Sequence, residues 1–157
     1  MQLLTFTIAG ESYAIESRRV VEVLPLVPAR PIPLTPGYVR GVFTYRGSLV
    51  PLVDLGRRLG DVVLEERLST RVIVAEYLPP GSRRPARLGL VAENVISIVA
   101  AERAETSLPA LELAAAPFLG RILRIDGRTV QVVDVDRLLP ADLAAGLFPA
   151  ASTEAAS

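Results

Sequence analysis

GSLVPLVDLGRRL, from Gly47 to Leu59, and GRTVQVVDVDRLL, from Gly127 to Leu139, are two copies of one pattern. Gly47 aligns with Gly127, Val50 with Val130, Val53-Asp54 with Val133-Asp134, Arg57 with Arg137 and Leu59 with Leu139. The likeness continues upstream, where GVFTYRG (Gly41–Gly47) lies over RILRIDG (Arg121–Gly127). Each copy reads as strand, tight turn, strand and short helical turn. Asp126-Gly127 is a strong hairpin signal, because a type I′ turn needs positive φ at both central positions. Arg46-Gly47 occupies the same place in the first copy.

A weaker match places YAIESRRVVEV (Tyr13–Val23) over LGLVAENVISI (Leu88–Ile98), with Ala14 on Gly89 and Ile15, Val20 and Val23 on Leu90, Val95 and Ile98. Each of these segments follows a strand, Leu3–Ile8 in one half and Val72–Tyr77 in the other. The repeat halves, roughly 3–60 and 70–139, thus offer about five short strands each, in the same order. A unit of that size covers its core by curling into a small barrel, and two such units, marginal alone, are expected to pack together. Val72-Ile73-Val74-Ala75 is apolar on both faces and is expected between the two units. Pro51 falls within a strand and predicts an edge or a bulge. Leu78–Ala86 reads as a long hairpin loop, Ala100–Pro117 as a second loop with a short helix over Leu108–Ala116, and PADLAAGLF as a docking helix presenting Leu143, Leu147 and Phe148. The chain is expected to form one domain over 1–149, with a disordered tail at 150–157.

Composition narrows the function. Of the 157 residues 50% are hydrophobic but only 5% aromatic, so the core is aliphatic and suits strands. Net charge is zero, which leaves no basic excess for nucleic acid. Without Cys or His, the chain has no disulfide, thiol nucleophile or Ser-His-Asp triad. No nucleotide-binding loop or clustered metal ligands appear either, and an enzyme is disfavoured. Met1–Ile8 has no basic start and alternates like a strand, so no signal peptide is expected, and no apolar run reaches the roughly 18–20 residues of a membrane span.

PGYVRGVFTYRGSLVPLVDLGRRLG, from Pro36 to Gly60, resembles the signature of the CheW-like domain family. The likeness spreads from Leu4 to Leu139, through Gly10, Tyr13, Val20–Val23, LGLVAENV and VVDVDRLL. It implies a mainly β fold of two SH3-like five-stranded barrels on a shared hydrophobic core, with short helices between strands and at the C-terminus. It further implies a non-enzymatic cytoplasmic adaptor without a cofactor, recruited to membrane-associated arrays without inserting into the membrane. Its partners would be a chemoreceptor's cytoplasmic signalling tip, the regulatory domain of a CheA-type histidine kinase, and other CheW-like domains in rings. Two departures are Thr44, where the family usually has Asn, and Tyr45, where it has an aliphatic residue. A Tyr there resembles CheW-like proteins of systems with outputs other than flagella, so an auxiliary coupler of that kind is the alternative.

The resemblance implies a partner-binding set of Val20, Glu22, Val23, Gly41, Thr44, Tyr45 and Arg46. Arg46 is its centre, a long side chain retained where a turn costs it about 1 kcal/mol relative to Asn, Asp or Gly; the competing reading is a solvated charge at a hairpin tip. Val20 and Val23 suit either an aliphatic groove for a helix or the core, and Glu22 is expected to be exposed. Asp54 and Asp134 each precede a helical stretch, which makes them N-caps rather than an acid/base pair. Asp134 with Asp136 is a weak metal signal. Arg83, Arg84 and Arg87 read as a solvated loop.

Overall fold

A computed structural model describes residues 1–64 and 66–149, the side chain at 96 apart; the tail expected over 150–157 lies outside the described residues. The strands are β1 (Gln2–Ile8), β2 (Glu11–Glu16), β3 (Val20–Pro25), β4 (Val39–Tyr45), β5 (Ser48–Asp54), β6 (Thr70–Tyr77), β7 (Ala86–Ala100), β8 (Thr106–Leu108), β9 (Leu119–Ile125) and β10 (Arg128–Val133). Helices α1 (Leu55–Gly60) and α2 (Ala141–Leu147) are short, and single 3-10 turns lie at Ser17–Arg19, Ala101–Arg103 and Val135–Arg137. The mainly β expectation therefore holds.

Among the described residues the strands form one connected network in the order β3-β6-β7-β1-β2-β10-β9-β8, with β5 joined in parallel to β7 and β4 beside β5. β7 is the hinge of this arrangement. Its first part, Ala86–Glu93, pairs with β6, and its last part, Ser97–Ala100, pairs with β1. Between them Asn94 adopts a φ of 47°, which Asn tolerates better than most residues. Its N–H donates to the Ser69 carbonyl at 3.0 Å and its side-chain amide donates to Thr7 Oγ1 at 2.9 Å. In the first half the corresponding passage is cut into β2 and β3 by the Ser17–Arg19 turn. The two sequence halves consequently interleave: β3 pairs with β6 and β5 with the start of β7, β4 lying beside β5, whereas β1 pairs with the end of β7 and β2 with β10.

The repeat carries into local geometry. Arg46-Gly47 and Asp126-Gly127 both have positive φ, at 48° and 79° and at 50° and 76°, as type I′ turns require. Ala9-Gly10 makes a third turn of this kind, at 51° and 82°, which the sequence reading had not singled out. Asp54 caps α1 by accepting from the Arg57 N–H at 3.3 Å, and Asp134 accepts from the Asp136 N–H at 3.1 Å. Pro51 sits opposite Val42, whose N–H and C=O are both spent on Arg30, at 2.9 and 2.8 Å. That pair thus exchanges no ladder bonds, and the missing N–H of Pro51 points away from β4, on a side where β7 joins only from Leu52 onward.

One main core links strands from both groups, for example Phe6 and Ile15 with Ile73, Leu90 and Leu138. Val72, Ile73, Val74 and Ala75 are all fully buried, as their two-sided apolarity predicts. A smaller cluster of Leu3, Ala14, Leu123, Ile125 and Val130 lies on the other face of β1 and β2. Arg58 also ties the copies together: its Nε donates to the Leu138 carbonyl at 2.7 Å, and its guanidinium lies over the Tyr38 and Phe118 rings.

The short helix expected over Leu108–Ala116 is absent. Thr106–Leu108 is instead strand β8 on β9, and Leu113–Ala116 makes only a turn. Pro109 biases Leu108 toward an extended conformation. The alanines that follow have no docked apolar stripe to repay helix nucleation, since Leu111 and Leu113 are left exposed. The C-terminal helix does form. Leu143, Leu147 and Phe148 pack on the main core, and Phe148 stacks on Tyr77 with ring centroids 5.3 Å apart.

Candidate partner-binding surface

The β4–β5 hairpin tip and the adjoining strand β3 bring three of the predicted residues together. Tyr45 is buried except at its edge, and its hydroxyl donates to Glu22 Oε1. Arg46 reaches the same oxygen at 3.1 Å while its guanidinium lies 5.1 Å from the Tyr45 ring centroid. Arg87, on β7, approaches the same ring at 5.3 Å. The hydrogen bond to Glu22, helped by burial, raises the Tyr45 phenol above its ordinary pKa, although both neighbouring arginines pull the other way. The ring is thereby kept as a neutral donor between one carboxylate and two cations. This contact explains why an arginine is tolerated at positive φ: from the turn, its side chain reaches back to Glu22. The second copy carries the inverse pair, with Asp126 at the turn and Arg103 at 3.5 Å.

The other predicted residues surround this cluster without joining it. Val20 is half-buried against the core, whereas Val23 is 38% exposed, so the two valines divide between the readings left open for them. Thr44 points to the opposite face of β4 from Tyr45. There it lines a groove of about 750 Å³ with Leu24, Val27, Ile32, Phe43 and Leu49. Gly41 makes that groove possible. At φ 135° it lets the carbonyl of Arg30 approach so closely that a Cβ would sit 2.0 Å from its oxygen. The Arg30–Val42 bridge then clamps the proline-rich segment 28–36 along β4 as the groove wall. Leu108, Leu111 and Leu113, on and after β8, are also exposed.

Sequence reasoning missed one contributor. Arg87 was read as a loop charge, yet it is half-buried over Tyr45, because parallel pairing of β5 with β7 brings distant segments alongside. Asp136 is held by a charge-assisted pair from Arg19 and by the Leu78 N–H at 2.9 Å. Burial works against its ionisation, but these hydrogen bonds outweigh it and keep the carboxyl below its usual pKa. Asp54 is likewise occupied, by Arg40 at 3.0 Å as well as by its cap. Among the described residues no three metal-ligating side chains gather.

Comparison with known proteins bears on the family and the fold. A family model described as the CheW-like domain matches residues 2–142. The chemotaxis protein CheW of Rhizobium meliloti is 27% identical over 144 residues, covering 90% of this chain and 88% of that protein. The Klebsiella aerogenes chemotaxis protein CheW is 28% identical over 144 residues, covering 90% and 82%. The crystal structure of the scaffolding protein TtCheW from Thermoanaerobacter tengcongensis superposes with a TM-score of 0.73, at 24% identity over 88% of this chain and 87% of that one, and so shares the fold.

Proposed function

The chain belongs to the CheW-like domain family of chemotaxis scaffolds, and from that premise we propose that it is a non-enzymatic adaptor coupling the signalling tip of a chemoreceptor to the regulatory domain of a CheA-type histidine kinase. The observation that carries this reading is the Glu22–Tyr45–Arg46–Arg87 cluster at an exposed hairpin tip. Arg46 keeps 61% of its side chain exposed and Glu22 keeps 40%. An ion pair that open contributes no more than about 1 kcal/mol. Arg46 can therefore exchange Glu22 for a partner's acceptor at little cost, while Tyr45 keeps the site in shape. Val23, exposed on β3, adds aliphatic surface of the kind a helical tip requires.

The groove beside Thr44 and the exposed leucines at 108, 111 and 113 lie apart in sequence and offer apolar contacts to more than one neighbour, as ring assembly with kinase and other CheW-like domains demands. Among the described residues no helix is long and apolar enough to cross a membrane. Array recruitment would then come from the receptor itself. Co-sedimentation with the cognate receptor's signalling-tip fragment and the kinase regulatory domain tests the proposal. Binding of both by the wild type, with receptor binding lost in Arg46→Ala, is expected. Failure of the wild type to bind either partner would refute it.

A further inference from the structure

The β6–β7 loop carries charge of one sign only. From Tyr77 to Ala92 the sequence holds Arg83, Arg84 and Arg87 and no acidic residue, in a chain whose net charge is zero. Arg87 is anchored on the Tyr45 ring beside Arg46. Arg83 and Arg84 are exposed, and neither side chain has a carboxylate within ion-pair distance among the described residues.

This loop is also braced. Pro79, Pro80 and Pro85 restrict its backbone, and the Ser82 N–H donates to the Pro79 carbonyl at 3.0 Å. The Ser82 hydroxyl accepts from the Arg84 N–H at 3.1 Å and donates to the Arg84 carbonyl at 3.0 Å. These are the bonds of ordinary turns, and here they hold the backbone that carries both arginines, so the loop is braced rather than slack. A braced one presents its arginines with less ordering entropy left to lose on binding.

We propose that this loop is an electrostatic extension of the receptor-binding site, and that Arg83 and Arg84 recognise an acidic stretch of the receptor hairpin next to the segment that engages Arg46. The inference rests on the adaptor reading and adds the chemistry of the partner. Glu22 faces Arg46 and Glu76 stands opposite Arg87 on β6, so the surplus positive charge is that of Arg83 and Arg84, which attracts carboxylates and repels a basic tip. Exposed charges of this kind act over a Debye length of about 10 Å at 0.1 M salt and are screened above it.

The test compares the full-length wild type with Arg83→Ser/Arg84→Ser and Arg83→Lys/Arg84→Lys. Each is titrated against the cognate receptor signalling-tip fragment and, separately, the kinase regulatory domain, at low and high salt. The serine variant should bind receptor about fivefold more weakly at low salt, with the difference closing at high salt. The lysine variant should retain most of the affinity, kinase binding should not move, and all three proteins should melt together. Unchanged receptor binding by the serine variant at low salt overturns the inference and leaves the adaptor reading standing. A loss confined to the kinase domain also overturns it. A wild type that binds neither partner overturns the adaptor reading and this inference with it.

Discussion

Replacing Gly41 with Ala should be among the most damaging single-methyl changes in this protein. The added Cβ would lie 2.0 Å from the Arg30 carbonyl oxygen and 2.5 Å from its carbon, both backbone atoms that no rotamer change can move. The residue would also be held at φ 135°, where a side chain is strained; such a conformation costs of the order of 1–3 kcal/mol. Relief of the clash means separating segment 28–36 from β4, which breaks the Arg30–Val42 hydrogen bonds of 2.8 and 2.9 Å. Those contribute about 1 kcal/mol each. The loss should total about 3–5 kcal/mol, a large share of the ~5–15 kcal/mol that a domain has. Equilibrium urea unfolding measures it, with Gly47→Ala as the control. Gly47 has a positive φ of 79° but nothing within 4 Å of a Cβ, so its change carries strain without a clash, about 1 kcal/mol. If the two variants lose the same stability, the close approach of Arg30 is not what requires glycine at 41.

Arg46→Ala should unfold within about 1 kcal/mol of the wild type, since its ion pair is largely exposed, while receptor co-sedimentation is lost; a variant still recruited normally contradicts the assignment. Asp136→Asn should cost about 1 kcal/mol at neutral pH, the charge-assisted bond to Arg19 being discounted for partial exposure. Because the folded pKa of Asp136 lies below the ordinary aspartate value of 3.8, its contribution is complete above that pH and disappears as pH falls through the folded pKa. Melting curves of wild type and variant should accordingly converge in acid, and a constant gap would refute the cause. Phe148→Ala removes the stack on Tyr77 and part of the packing of α2; a loss of about 2 kcal/mol is expected in the same urea assay, and no change would mean that α2 does not stabilise the core.

How much of this was legible beforehand depended on how local the cause was. The two hairpins, their positive-φ turns, the Asp54 and Asp134 caps and the two-sided burial of Val72–Ala75 follow from turn chemistry, capping and apolar periodicity within a few residues of each position. The dense motif from Pro36 to Gly60 likewise identified the family without structural help. The helix expected over Leu108–Ala116 failed because its signal was composition alone, and the extended backbone favoured before Pro109, together with an open position on β9, outweighed it. Contacts between segments far apart in sequence were decided only by the tertiary structure. Glu22, Tyr45, Arg46 and Arg87 meet because β3 pairs with β6, β6 with β7 and β7 with β5, which interleaves the two halves of the repeat. The need for glycine at 41 arises from Arg30, which reaches it through space. Periodicity reports which face of a strand is buried, but the neighbour that covers that face is chosen by the packing of the whole chain.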